Sequence, residues 1–83
     1  MSHDPDQDQA GRHPATVEKM RWLTPNPHLP QGLPATVSRM FFDLGIKLTG
    51  VLADGPQFTI ALQRLVDAKD AAVRQAISDT ETR

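Results

Sequence analysis

Hydrophobic positions in the second half of the chain fall at helical intervals. In "PATVSRMFFDLGIKLTGVLADGP", Val37, Phe41, Leu44, Leu48 and Val51 follow one another by steps of four, three, four and three. That spacing keeps one side of a helix apolar, as in a packed seam. Met40 and Leu52 widen the stripe. Arg39, Asp43 and Lys47 recur every fourth residue on the other side, where opposite charges support each other. Pro34 suits a first helical turn, because its missing N–H has no intrahelical partner there. The "DGP" triplet at Asp54–Pro56 stops the helix.

A second pattern begins at Pro56. Phe58, Leu62, Leu65, Ala72 and Ala76 form one stripe, with Ala61 and Ala68 beside it. Val66, Val73 and Ile77 form a neighbouring face, and Asp70 and Arg74 make another (i, i+4) charge pair. The ending "SDTETR" is polar and is expected to fray. The short connection between the two patterns predicts antiparallel neighbours, an α-helical hairpin over 34–78 with a frayed tail at 79–83.

Upstream the pattern changes twice. The segment "TPNPHLPQGLP" holds four prolines and excludes an ordinary helix or central strand. It reads as an extended linker or a docked arm. Before it stands "PATVEKM" (14–20), which shares five of seven positions with "PATVSRM" (34–40). The likeness ends there, since "RWLTPN" and "FFDLGI" have nothing in common. A solenoid needs similarity over a whole unit of about 20 residues or more. The doubled phrase therefore reads as two helix openings, each with proline in the first turn. The first copy predicts a short helix over 14–23, ended at Thr24-Pro25 and docked by Val17, Met20 and Leu23. Residues 1–13 form a disordered polar tail in this reading, and 14–33 the short helix and arm. The fold class expected is all-α: a short N-terminal helix, a proline-rich arm and an oligomerising two-helix hairpin.

The expectation of assembly comes from size. Two helices of about 20 residues bury little, and small domains lean on disulfides, metals or partners. The chain has no cysteine. Its histidines (His3, His13, His28) fall outside the hairpin and lack the spacing of helical metal ligands. Oligomerisation is the remaining support, and the second helix is apolar on more than one face. Gly45 and Gly50 interrupt the first hairpin helix, at about 1 kcal/mol each relative to alanine. Each marks either a tolerant surface position or a close approach by another helix or a ligand.

Charge and composition narrow the function. A net charge of −1 argues against a general DNA or RNA binder. No apolar run approaches the ~20 residues of a membrane span, and the acidic start is unlike a signal peptide, which predicts a cytoplasmic chain. No catalytic constellation, phosphate-cradling glycine loop or metal cluster is visible, so enzymatic activity and bound cofactors are not expected. Binding chemistry remains. Arg39, Lys47, Lys69 and Arg74 are cations on the hairpin, either paired within their helices or, in a symmetric assembly, clustered about an axis to grip phosphates. Trp22, the only tryptophan, is either a docking anchor or a flat face for a base. Thr59 either caps the second hairpin helix or offers a hydroxyl to an anion at its N-terminus.

The stretch "FDLGIKLTGVLADGPQFTIALQRLVDAKDAAVRQAI" (42–77), with a proline- and histidine-containing segment ahead of it, resembles a family of small phage-encoded helical-hairpin proteins. These are the sponges that counter the bacterial CBASS and Thoeris defences. The likeness covers a little under half of the chain and rests on core and turn positions. It implies a homo-oligomer, commonly a hexamer, in the cytoplasm of an infected bacterium. It also implies capture of cyclic oligonucleotide or cyclic ADP-ribose-type signals without cleavage. Family members often carry an aromatic in or before the first helix that stacks on a base; Trp22 is the candidate here. The ligand-contact candidates Arg74, Lys69, Arg39, Lys47, Thr59 and Trp22 come from local chemistry. The alternative function is a small oligomeric interaction module that docks on a host protein and inhibits it.

Overall fold

A computed structural model describes residues 11–82. The described residues form three helices and no strand: α1 (Pro14–Leu23), α2 (Leu33–Val51) and α3 (Pro56–Thr82). Residues 1–10 of the expected polar tail lie outside the described residues. No helix among those described is long and apolar enough to cross a membrane.

Each boundary has a local cause. Proline stands at or next to the first position of α1 and α2 and at the first position of α3. The His13 imidazole Nδ1 accepts the Ala15 N–H at 3.0 Å and caps α1. Thr24 closes α1: its N–H donates to the Met20 carbonyl and its hydroxyl to the same oxygen, both at 3.1 Å. Pro25 then biases Thr24 to the extended conformation it adopts. Gly32 enters α2 at φ +96°, a backbone region that favours glycine. Residues 52–55 reverse the chain, and α2 and α3 pack along each other as the hairpin spacing predicts.

α1 lies across both long helices. Met20, Leu23, Phe58, Leu62 and Val66 form the core, with Phe41, Phe42, Leu48 and Leu65 packed against it. Burying a side chain such as Leu23 or Leu62 stabilises the fold by roughly 1.5–3 kcal/mol. Gly45 is where α1 meets α2. A Cβ there would lie 2.8 Å from Leu23 Cδ1 and 3.2 Å from Met20 Sδ. The glycine thus serves close approach by a helix, whereas Gly50 faces open space.

The packed faces are rotated from those the hydrophobic spacing suggests. In α2 the fully buried positions are Pro34, Ser38 and Gly45, with Phe41 and Leu48 partly buried beside them. Met40, Leu44, Val51 and Leu52, placed by spacing in or beside the seam, are exposed. The reason is Gly45: the face without a side chain lets α1 come closest, and the bulkier stripe turns outward. In α3, Phe58, Leu62, Val66, Val73 and Ala76 are buried, Leu65 and Ala72 are half-buried, and Ala61 and Ala68 face solvent. Val66 and Val73 therefore belong to the principal face.

α3 also continues past Ser78 to Thr82. The Gln75 amide donates to Asp79 Oδ1 at 2.7 Å, and the Thr80 hydroxyl to the Ala76 carbonyl at 2.9 Å. The Gln75–Asp79 pair helps the polar ending remain helical. Within the arm, Asn26 Oδ1 accepts the His28 N–H, and the Leu29 N–H reaches the Asn26 carbonyl at 3.1 Å. These bonds fold 26–29 into a turn.

Candidate functional site

The arm and α3 enclose a cleft of about 270 Å³. Its walls are Asn26 and Leu29 from the arm and Lys69, Asp70, Val73 and Arg74 from α3. Lys69 is only 8% exposed. Its ammonium donates to the Trp22 carbonyl at 2.6 Å and contacts the Thr24 carbonyl at 3.4 Å. Carbonyls at a helix end have no further helical N–H to accept, and a cation suits that pole. Burial pushes the Lys69 pKa below its ordinary 10.5, while the Asp70 carboxylate acts to raise it. An ammonium has three N–H donors, so two bonds leave one for the cleft. Arg74 is exposed on the same wall, with no ion pair to Asp70 among the described residues.

The other candidates stand elsewhere. Arg39 borders a shallow groove of about 440 Å³ beside the first half of α2, with Gln31, Thr36, Met40 and Asp43. It pairs with Asp43 at 3.2 Å and lies 5.6 Å from the Phe42 ring centroid. That exposed pair contributes little to stability. Thr59 lines a third cavity, about 220 Å³, with His13, Gly55 and Pro56. Lys47 is exposed on α2. Trp22 is 61% exposed, so Met20 and Leu23 are the anchors of α1 and the indole is open to solution. The fold therefore brings Lys69, Arg74 and the Trp22 backbone together and separates Arg39, Lys47 and Thr59 from them.

A second polar cluster joins the N-terminal segment to the α2–α3 turn. Arg12, placed by composition in the tail, donates to the Thr49 carbonyl at 3.1 Å and the Leu52 carbonyl at 3.0 Å. It thereby caps the C-terminal end of α2. Its Nε lies 3.0 Å from Asp54 Oδ1 but is not aimed at it, so that contact is an ion pair and not a hydrogen bond. The guanidinium also sits 5.6 Å from the Phe58 ring centroid. Asp54 Oδ2 accepts the His13 N–H at 2.7 Å, and Oδ1 accepts the hydroxyl of the buried Thr16 at 2.8 Å. The His13 N–H and the Thr16 hydroxyl hold the Asp54 pKa below 3.8, with smaller help from the Arg12 and His13 charges; desolvation opposes them. Apart from Arg12 Nε, which makes the ion pair without a hydrogen bond, the polar groups named here are engaged within the fold. The cluster is a latch rather than a binding site. Only the "DGP" context of Asp54 hints at it in the sequence.

No group of three or more potential metal ligands occurs among the described residues. No protein-family model, curated protein or solved structure matches the chain.

Proposed function

We propose that this protein is a non-enzymatic sponge that sequesters cyclic oligonucleotide or cyclic ADP-ribose-type signals and so blocks bacterial anti-phage defence. It acts as a homo-oligomer in the bacterial cytoplasm. The observation that carries the reading is the arm–α3 cleft, where Lys69 and Arg74 face one space beside the single carboxylate of Asp70. A guanidinium fork matches phosphate oxygens and an ammonium adds a point charge. Asn26 supplies an amide, Leu29 and Val73 supply apolar wall for a base or ribose, and the open Trp22 indole lies on the residue whose carbonyl Lys69 holds. The resemblance over 42–77 supports the same ligand class.

Size supports assembly. Small-molecule sites usually enclose roughly 300–1,000 Å³, and this cleft of about 270 Å³ falls below that range. A cyclic dinucleotide needs a second subunit to close over it. Two-fold or cyclic symmetry would face one Arg74 with another and double the positive charge without a basic chain.

Native mass spectrometry with a panel of cyclic di- and trinucleotides and cyclic ADP-ribose isomers tests the proposal. The expected result is an oligomer that takes up ligand in symmetric stoichiometry, with Arg74→Ala lowering affinity by about tenfold or more while mass is unchanged. An oligomer indifferent to the whole panel overturns it. One observation favours the alternative, a module that docks on and inhibits a host protein: α2 presents a continuous apolar face to solvent. That reading gains if the panel fails.

A further inference from the structure

The outward face of α2 has the properties of a self-complementary surface. Leu33, Met40, Leu44 and Val51 are all exposed, Val51 at 77% and Met40 at 63%. With Val37 and Lys47 they follow steps of four and three, so they share one side. This side lies about 100° around the helix from the one packed on α1 and α3. An exposed apolar strip of this length is uncommon on a chain that remains alone.

Two features say what covers it. The first is charge. Asp43 and Lys47 are both exposed and stand one turn apart, and Asp43 also pairs with Arg39 at 3.2 Å within its own helix. A two-fold axis at the level of Gly45, midway between them, sets each Asp43 against the other copy's Lys47 twice over. The second is shape. The same axis sets the prominent Met40 against Gly50, which has nothing within 4 Å of a built Cβ. Leu44, one residue from the level of the axis and on the exposed strip, comes beside the other copy's Leu44. The axis also seats Val51 by the groove at Thr36, Arg39 and Met40. The groove lies toward one end of α2 and the most exposed apolar side chain at the other, the arrangement an antiparallel pair requires.

We infer that α2 pairs antiparallel with α2 of a second copy, about a two-fold axis at Gly45, with reciprocal Asp43–Lys47 contacts. This rests on the homo-oligomer part of the proposed function and specifies one interface of the assembly, separate from the contact that closes the arm–α3 cleft. Lys47 thereby acts in assembly, leaving Arg74 and Lys69 to the ligand.

Charge reversal tests the register. Asp43→Lys and Lys47→Asp are made separately in the full chain, and mass is followed by sedimentation equilibrium, with helicity by circular dichroism. Both sites are exposed, so helicity should be retained. Each variant alone sets like charges across the axis and should self-associate roughly tenfold or more weakly than wild type. Mixing the two restores opposite charges at both contacts, so the mixture should regain the wild-type mass. A wild-type oligomer that neither substitution weakens, or variants that fail to recover on mixing, would overturn the α2 interface while leaving oligomerisation intact. A monomeric wild type at high micromolar concentration overturns both.

Discussion

The phrases "PATVEKM" and "PATVSRM" both open helices, yet they turn different sides to the protein. In α1, Thr16 and Met20 are buried. In α2 the equivalent Thr36 and Met40 are exposed, and Pro34 and Ser38 are buried instead. Proline in the first turn and the absence of helix breakers decide that a helix starts. They do not decide which way it faces. Thr16 is drawn inward by the Asp54 carboxylate and Met20 by the core. Thr36 and Met40 have no such partners among the described residues, and α2 is oriented by Gly45, where Leu23 and Met20 need its missing side chain.

The equivalent methionines give the largest contrast. Met20→Ala should destabilise the fold by about 2–5 kcal/mol, as expected for a buried side chain, measured by urea denaturation. Met40→Ala should change monomer stability by no more than about 0.5 kcal/mol and should weaken self-association. Equal losses at the two sites would mean that both copies face inward.

The threonines come next. Thr16→Val should cost roughly 1–2 kcal/mol, because it removes the donor to Asp54 in a buried place. Thr36→Val should lie within about 0.5 kcal/mol of wild type. The two α2 glycines sharpen the account of orientation. Gly50→Ala should raise thermal stability by up to about 1 kcal/mol, having open space around it. Gly45→Ala brings the same helix preference but overpacks Leu23, and should be net destabilising by about 1 kcal/mol. A stabilising Gly45→Ala would remove the reason given for the rotation of α2.

The smallest effect is on pH. The Asp54 pKa is depressed in the folded state, so its contribution is present above the unfolded value, 3.8, and is lost as pH falls through the lower folded value. Thermal melts should therefore show a fall in midpoint below about pH 4 that Asp54→Asn flattens. An unchanged acid slope in that variant would mean that the latch is not coupled to folding.

Legibility in the sequence followed the range of the interactions involved. The ends of α1, the DGP turn and the docking of α1 by Met20 and Leu23 were readable, because proline, turn chemistry and spacing act within a few residues. The role of Arg12 was not. Its partners Thr49, Leu52 and Asp54 lie some 40 residues away, and nothing in a polar tail announces a cap for a distant helix. The candidate cations show the same limit. Six residues with plausible ligand chemistry were visible, but whether they meet depends on how the arm folds back. Lys69 and Arg74 share a cleft with Asn26 and Leu29, while Arg39, Lys47 and Thr59 lie elsewhere. The exposure of Trp22 was equally invisible, since an anchor and a free indole occupy the same sequence position.

By itself, the sequence determined that three helices form and about where they begin and end, since capping, proline and hydrophobic period are properties of neighbouring residues. Only the tertiary structure decided which stripe of α2 is buried, what the Lys69 ammonium holds and where the N-terminal segment is tied. Those outcomes turn on steric fit and on distant donors and acceptors, such as the space above Gly45 and the open carbonyls at the end of α1. They exist only once the helices have met.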